Sequence, residues 1–144
     1  MSKELLDKYQ AWVFDTDSTT ADTCNSAVRL LQRFLKRYCS SPNLNFSKDQ
    51  VDGWTYFANV LINNGFGIEE AQRIDKNLWN SSWVLGRPKP IDGAPELIAL
   101  LHDHGRIVLA TTSRPDIKNI HALTIKWIQN QLSDVDNIYL YESK

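Results

Sequence analysis

The sequence predicts an α/β fold with a Rossmann-like parallel sheet and a helical domain inserted after the first strand. Three short apolar runs have the length and residue types of buried strands, at 12–15, 107–110 and 138–141. Helical patterns separate these runs, and strands separated by helices form parallel sheets through right-handed crossovers. From about residue 22 to residue 83 the pattern is entirely helical, so we expect no strand there.

The inserted stretch is predicted to form three helices. Apolar residues recur at spacings of three and four between Ala27 and Tyr38, which is typical of an amphipathic helix. A capping-box pattern at Ser47-Lys48-Asp49-Gln50 predicts that the second helix begins there, and Gly65 is suited to the position just past its end. The third helix is predicted from about Ile68.

A linker by composition, Gly86-Arg87-Pro88-Lys89-Pro90, follows the helical stretch. The next helix is predicted to start near Gly93 and Pro95 and to end at Gly105. These boundaries predict a core domain made of residues 1–21 and 86–144, and a helical cap made of residues 22–85.

Composition excludes some classes of function. The 144 residues carry a formal net charge of −1, which gives no basic footprint for nucleic acid. No apolar run approaches the roughly 18 residues of a membrane-spanning helix. The N-terminal residues lack the apolar centre of a signal peptide, so we expect a cytoplasmic protein in which Cys24 and Cys39 are reduced thiols.

Polar residues gather where the predicted strands end. Asp15 and Asp17 follow the first strand, Thr112 and Ser113 follow the second, and Lys144 follows the third. Ligands of parallel sheets bind beyond the carboxyl ends of the strands. Carboxylates there suit Mg²⁺, and hydroxyls with an ammonium suit a phosphoryl group. The alternative is that the Asp-x-Asp pair only caps the next helix.

These residues resemble the motifs of the haloacid dehalogenase (HAD) superfamily of phosphohydrolases. The first motif is matched by Val13-Phe14-Asp15-Thr16-Asp17, the second by Val108-Leu109-Ala110-Thr111-Thr112-Ser113, and the third by Lys144. The run from Pro90-Ile91-Asp92-Gly93-Ala94 through Thr112-Ser113-Arg114-Pro115 to Thr124-Ile125-Lys126-Trp127 is similar to the 5′(3′)-deoxyribonucleotidase-like branch. In that branch a helical cap separates the first two motifs.

The resemblance implies a Mg²⁺-dependent phosphomonoesterase that acts on a small phosphorylated substrate such as a nucleotide. By this resemblance Asp15 would be the nucleophile and a metal ligand. Asp17 would be the general acid and base, with its backbone carbonyl on the metal. Thr112 would bind the phosphoryl group with help from Ser113, and Lys144 would neutralise charge.

Three departures from the family pattern weaken this expectation. Ser18 stands where the family usually has Gly, the acidic pair of the fourth motif has no match, and only three strands are predicted instead of at least five. We therefore expect feeble or absent activity from these 144 residues, and some tendency to form a homo-oligomer. The alternative function is a non-catalytic module, derived from such a phosphatase, that binds phosphate or oligomerises.

Several basic and aromatic residues allow two interpretations each. Arg114 could bind the substrate phosphate or pair with a surface acid. Arg87 and Lys89 could face an anionic substrate or be solvated. Three tryptophans could stack on a nucleobase, although aromatic residues at helical spacing usually pack: Trp54, Trp79 and Trp83.

The histidines favour structural interpretations. His102 and His104 flank Asp103 and could form a metal site, but they lie in the last turn of a predicted helix, where positive charge is favourable. His121 lies among apolar positions of a predicted helix, and we expect it to be structural.

Overall fold

The chain is an α/β protein built on a small parallel sheet. The structure, a computed structural model, describes residues 3–53, 55–114 and 119–141. The sheet contains three strands, β1 (Ala11–Asp15), β2 (Ile107–Ser113) and β3 (Asn137–Tyr141). They lie in the order β1-β2-β3, and both neighbouring pairs are parallel. The predicted fold class is confirmed.

Seven helices occupy most of the remaining described chain. They are α1 (Lys3–Lys8), α2 (Thr23–Tyr38), α3 (Tyr56–Asn63), α4 (Ile68–Trp79), α5 (Ser82–Gly86), α6 (Ala94–Asp103) and α7 (Ile120–Gln131). The short helices α1 and α5 were not expected from the sequence. None of the described helices is long and apolar enough to cross a membrane.

The predicted start of the second inserted helix is wrong. The side chain of Gln50 accepts a hydrogen bond from the backbone N–H of Ser47 at 2.8 Å, so the capping-box residues do meet. They close only a 3₁₀ turn at Lys48–Gln50, because the backbone becomes extended at Val51. The α-helix α3 begins at Tyr56 instead.

The chain divides into two compact units. The sheet unit consists of residues 1–22 and 89–144, and the helical unit consists of residues 23–88. The described part of the helical unit contains no strand, as the helical pattern predicted. Cys24 and Cys39 belong to this unit and are not joined by a disulfide.

One face of the sheet forms the core of the sheet unit. The buried side chains of β2 on this face, Val108 and Ala110, pack in one cluster with α1, α6 and α7. The helices contribute Leu6, Ile98, Leu101, Trp127 and Ile128. Trp12, Phe14 and Ile138 extend the same face on the neighbouring strands. The connections from β1 to β2 and from β2 to β3 step in the same direction across the sheet. Right-handed connections of this kind place their helices, here α6 and α7, on the same face of the sheet.

Strand β2 is longer than the sequence suggested. Its buried residues alternate through Thr112, and it ends at Ser113 rather than at Ala110. Strand β3 supports the extra residues, because Thr112 is paired with Leu140 and Ser113 with Tyr141. Thr112 is therefore a buried strand residue on the core face, not a loop residue beyond the strand.

Candidate functional site

A tight turn follows β1 and fixes the first polar residues. The backbone N–H of Thr16 donates to the carbonyl of Thr111 at 2.9 Å, and its hydroxyl donates to the same oxygen at 3.1 Å. The N–H of Ala21 returns to the carbonyl of Thr16 at 2.8 Å. These bonds attach the turn to β2 and hold residues 16–21 in one compact loop.

Ser18 occupies the strained position of this loop. Its φ angle is +60°, in the left-handed region that favours glycine. The N–H of Ser18 donates to the carbonyl of Ala21 at 2.9 Å, which holds this conformation. The position is the one where the HAD pattern usually has Gly, and the left-handed backbone gives a physical reason for that preference.

Asp17 is the centre of a side-chain network at the end of the sheet. Its Oδ2 accepts from the hydroxyl of Thr112 at 2.8 Å and from Nε of Arg114 at 3.1 Å. Its Oδ1 accepts from Nη2 of Arg114 at 2.5 Å. Three of the roughly four lone-pair sites of the carboxylate are thus occupied, and the unoccupied one lies on Oδ1.

Arg114 is a buried support for Asp17. Its side chain is only 1% exposed, whereas that of Asp17 is 29% exposed. Its Nη1 donates to the hydroxyl of Thr124 at 2.7 Å, and that hydroxyl donates to the carbonyl of Ile120. Of the two interpretations of Arg114, pairing with an acid is the one observed, and the acid is Asp17.

Two residues of α7 contact Arg114 in a way that was not predicted from the sequence. Thr124 belongs to the run that resembles the deoxyribonucleotidase-like branch, where no role is predicted for it, yet its hydroxyl accepts a hydrogen bond from Nη1 of Arg114. His121 Nε2 lies 2.8 Å from the carbonyl oxygen of Arg114, so this histidine contacts the segment that holds the guanidinium. The expected structural role of His121 agrees with this contact.

Asp15 lies beside the network but outside it. It is the last residue of β1, is exposed, and is paired in register with Thr111. Its Oδ1 accepts from the N–H of Thr16 at 2.8 Å, and Oδ2 has no partner in the described part of the chain. The structure therefore joins Asp17, Thr112 and Arg114 directly and leaves Asp15 with one unbonded oxygen.

Other predicted site residues contribute less to this arrangement. Ser113 is exposed at the end of β2, on the same face of the sheet as Asp15. Lys144 lies outside the described residues. His102 and His104 are both exposed, and His104 Nδ1 lies 2.8 Å from the carbonyl of Leu100 at the end of α6. That contact supports the helix-end interpretation of His104.

The described residues do not by themselves form a magnesium centre. In residues 3–53, 55–114 and 119–141, no group of three His, Cys, Asp or Glu side chains is placed to hold a metal ion. Asp15 is the carboxylate at the rim that is not engaged by Arg114. Mg²⁺ takes near-octahedral oxygen coordination, so one carboxylate and one backbone carbonyl would leave most positions to water.

Two of the three tryptophans considered for nucleobase stacking, Trp79 and Trp83, pack against side chains of the helical unit. Trp79 stacks on Phe57, with ring centroids 5.0 Å apart and an interplanar angle of 22°. The guanidinium of Arg33 lies 4.9 Å from the ring centroid of Trp83. Both contacts favour the packing interpretation, whereas Trp54 lies outside the described residues.

A second acidic residue with unusual surroundings lies in the helical unit. Asp75 of α4 is 8% exposed, and its Oδ1 has no hydrogen-bond partner among the described residues. Burial raises the pKa of Asp75 to about 6, against a smaller lowering by the side chain of Trp79. Asp75 also lines an open cavity of about 580 Å³.

Solved structures with similar architecture identify the fold of this chain. The chain superposes on a hydrolase from Streptococcus pneumoniae with a TM-score of 0.64 and 12% identity. It superposes on a protein assigned as a phosphatase from Clostridium difficile with a TM-score of 0.63 and 17% identity. A third similar structure, with a TM-score of 0.59 and 16% identity, is the magnesium-bound form of YfnB from Bacillus subtilis, a protein assigned as a HAD-hydrolase.

The fold is that of the HAD-like hydrolases. The three superpositions cover 92%, 93% and 93% of this chain, but only 67%, 61% and 66% of the other chains. The chain thus spans about two thirds of the length of each structure. At these identities the likeness shows the HAD-like fold alone. No protein-family model and no curated protein matches the sequence.

Proposed function

We propose that this HAD-like protein is a phosphomonoester hydrolase that forms an aspartyl phosphate on Asp15. The observation that carries the proposal is the exposed carboxylate of Asp15 beside the Asp17–Thr112–Arg114 network, at the carboxyl ends of parallel strands. That edge of a parallel sheet is where ligands bind in such folds. An unbonded carboxylate oxygen there is available to attack an approaching phosphorus atom.

The proposed reaction has two balanced steps. Oδ2 of Asp15 attacks phosphorus, an O–P bond forms, and the bond from phosphorus to the leaving oxygen breaks as that oxygen takes a proton from Asp17. Water then attacks the phosphorus of the acyl phosphate and returns a proton to Asp17. Phosphate leaves, and the Asp15 carboxylate is restored.

Thr112 and Arg114 are proposed to position Asp17 in both steps. Donors occupy both lone-pair sites of Oδ2 of Asp17 and one site of Oδ1. The proton that Asp17 transfers would therefore use the remaining site on Oδ1. Arg114 is buried and bonded to Thr124 as well, so it holds the carboxylate rather than reaching for substrate. Ser113 is proposed to contact the phosphoryl group from the exposed end of β2.

Magnesium dependence, a charge-neutralising role for Lys144 and a preference for nucleotides are finer parts of the proposal. The magnesium-bound form of YfnB supports the first of these. When bound, the ion would offset the negative charge of the carboxylates and the phosphate. The described residues do not complete its coordination, so the steps above are written for protein groups alone.

One observation favours a second candidate, a non-catalytic phosphate-binding module. Asp17 accepts three hydrogen bonds from Thr112 and Arg114, which leaves a single site for acid–base work. A module of this kind would bind phosphate without turnover. The two candidates differ in whether phosphorus is ever bonded covalently to Asp15.

The test is to trap the acyl phosphate and to measure turnover, with and without Mg²⁺. We expect Asp15→Asn to abolish hydroxylamine-sensitive labelling and to lower phosphate release from aryl and nucleoside monophosphates by at least about a thousandfold. Stability should be unchanged, because the side chain is exposed. Asp92→Asn, at an exposed position of the same unit, is the matched control.

Each outcome separates the candidates. Turnover near the wild-type level in Asp15→Asn would contradict the mechanism. Phosphate binding by the wild-type chain with no covalent label would support the binding module instead.

A further inference from the structure

The cavity that Asp75 lines lies wholly within the helical unit, between helices α3 and α4. The helix α3 contributes Ala58 and Ile62 to its wall, and α4 contributes Ile68, Asp75 and Trp79. Its volume of about 580 Å³ falls within the range of small-molecule sites, which are mostly apolar and contain a few fixed polar groups. The proposed hydrolysis uses none of these residues, so the cavity needs an explanation of its own.

Asp75 occupies a helix position that an apolar residue would normally fill. It lies on the same face of α4 as Ala71 and Leu78, and all three residues are buried. Asp75 is only 8% exposed, and its Oδ1 has no hydrogen-bond partner among the described residues. Buried polar groups nearly always have a partner. An unpartnered carboxylate oxygen in a cavity wall therefore indicates a group that the described residues do not supply.

The carboxylate of Asp75 decides which chemical group suits this cavity. Burial raises its pKa to about 6, so the side chain is mostly ionised at neutral pH despite the cost of burying a charge. Rotation about the last bond of an aspartate side chain is soft, so either oxygen can turn toward an incoming group. A protonated nitrogen offsets a buried carboxylate best, because it brings both an opposite charge and a hydrogen bond.

The other charged residue among the described residues of the wall is Lys76, and it does not supply this group. Neighbouring residues of a helix do not face each other, so Lys76 and Asp75 project in different directions from α4. Lys76 is also exposed, and a long lysine side chain keeps its ammonium in water. The position of a cation beside Asp75 is thus left to a ligand.

We propose that this cavity binds a small organic cation, in which a protonated amine is attached to an apolar body. The amine would meet the carboxylate of Asp75, and the body would lie against Ala58, Ile62 and Ile68. Ile62 and Ile68 are 37% and 64% exposed, so they offer apolar surface for that body to cover. The inference is independent of the proposed function, because this site lies in the helical unit and Asp15 lies in the sheet unit.

The experiment is an NMR titration of the isotope-labelled chain at neutral pH. The probe is tryptamine, and tryptophol and indoleacetate are its neutral and anionic counterparts with the same ring. We expect tryptamine to shift the indole N–H signal of Trp79 and the amide signals of α3 and α4. It should bind at least about tenfold more tightly than tryptophol, because only the amine forms a charge-assisted hydrogen bond. Indoleacetate should bind more weakly still, since its charge has the same sign as that of Asp75.

The decisive variant is Asp75→Asn, which keeps the shape of the side chain and removes its charge. It should lower the affinity for tryptamine at least about tenfold and change that for tryptophol by less than about twofold. The matched control is Glu70→Gln, the same change at an exposed position of α4 outside the cavity wall, and it should alter neither affinity.

A second variant tests the apolar wall. Ile68→Ser should weaken the binding of tryptamine and tryptophol alike, because it removes apolar surface and no charge. Thermal unfolding checks that each variant is folded.

Equal affinities for tryptamine and tryptophol, or tryptamine binding that survives Asp75→Asn, would overturn the proposal. An absence of shifts in α3 and α4 with tryptamine at up to about 10 mM would also overturn it, since the cavity would then hold only solvent. Because neither phosphate release nor phosphate binding is measured, the result is separate from that of the proposed function.

Discussion

Each unit of the molecule contains a partly or fully buried aspartate, and the two differ in the hydrogen-bond and ionic partners that they meet. In the sheet unit, Asp17 is met by a fully buried guanidinium and by a threonine hydroxyl. In the helical unit, Asp75 is more deeply buried, but one of its oxygens has no partner among the described residues. The difference shows that burial of an acid alone says little about its role, since hydrogen-bond and ionic partners decide whether the cost of burying the carboxylate is compensated.

The consequences for stability have opposite signs. Removing the charge of Asp17 would take one ion pair away from the buried guanidinium of Arg114, and breaking a buried ion pair from one side is strongly destabilising. Removing the charge of Asp75 would instead remove a desolvation cost, because burial is the main cause of its raised pKa. The same substitution, Asp to Asn, therefore tests both halves of the comparison.

The largest expected effect is at Asp17. Asp17→Asn should lower the free energy of unfolding by about 3 kcal/mol, because Arg114 stays buried but loses its ion pair with Asp17. Urea denaturation at neutral pH measures the change. Asp15→Asn is the control and should change stability by less than about 0.5 kcal/mol, as expected for an exposed side chain.

A double variant sharpens this result. Asp17→Asn combined with Arg114→Met should recover part of the loss, because an apolar side chain replaces the buried guanidinium that has lost its ion pair with Asp17. Wild-type stability in the single variant would show that the ion pair contributes nothing to the fold.

The next effect concerns Asp75 and has a defined dependence on pH. Its folded pKa of about 6 lies above the ordinary value of 3.8, so the folded state holds a proton that the unfolded state has already released. The contribution of Asp75 to stability is therefore present at low pH and is lost as pH rises from about 4 to about 6. Asp75→Asn should remove this loss, and stability at pH 7 should rise by at most about 3 kcal/mol.

The measurement is the free energy of unfolding of both proteins at several pH values across this window. The difference between them should grow with pH up to about 6 and then level off. A difference that does not vary with pH would contradict the raised pKa, since other acids titrate equally in the two proteins.

The smallest effect tests the turn that places Asp17. Ser18→Gly should stabilise the protein by about 1 kcal/mol, because glycine adopts a φ of +60° without the strain of a side chain. Ser41→Gly, at an exposed position outside the left-handed region, should be neutral or destabilising. Thermal unfolding compares the two, and a loss of stability in Ser18→Gly would mean that the serine side chain stabilises the loop.

Much of the fold could be predicted because it depends on local signals. Apolar runs and helical spacing placed all three strands and the helices α2, α4, α6 and α7, and Gly65 and Gly105 do adopt positive φ near helix ends. The capping box at Ser47 led to a wrong start for the second inserted helix, because a local motif cannot show how far a helix continues past it.

The site was predictable only in outline. The rule that parallel strands end at one edge correctly brought Asp17 and Thr112 together. The pairing of Arg114 with Asp17 joins residues that are 97 positions apart in the sequence, and the bond from Arg114 to Thr124 depends on how α7 packs. Neither has a periodic or compositional signature. The exposure of Val13 and Tyr141 on the other face of the sheet was also not predicted, because alternation along one strand does not reveal which way the next crossover turns.

The one-way order of the strands also has a consequence for how the chain reaches this structure. The pairing of β2 with β3 closes a loop that contains α7 and little else, whereas the pairing of β1 with β2 encloses the entire helical unit. Closing the larger loop carries the greater entropic cost, and non-local pairings slow folding. We therefore expect β2, α7 and β3 to assemble as a nucleus, with β1 joining late. Asp17 would then meet Arg114 only at the end of folding. Substitutions that shorten a core side chain of β2 should therefore slow refolding more than the same substitutions in β1.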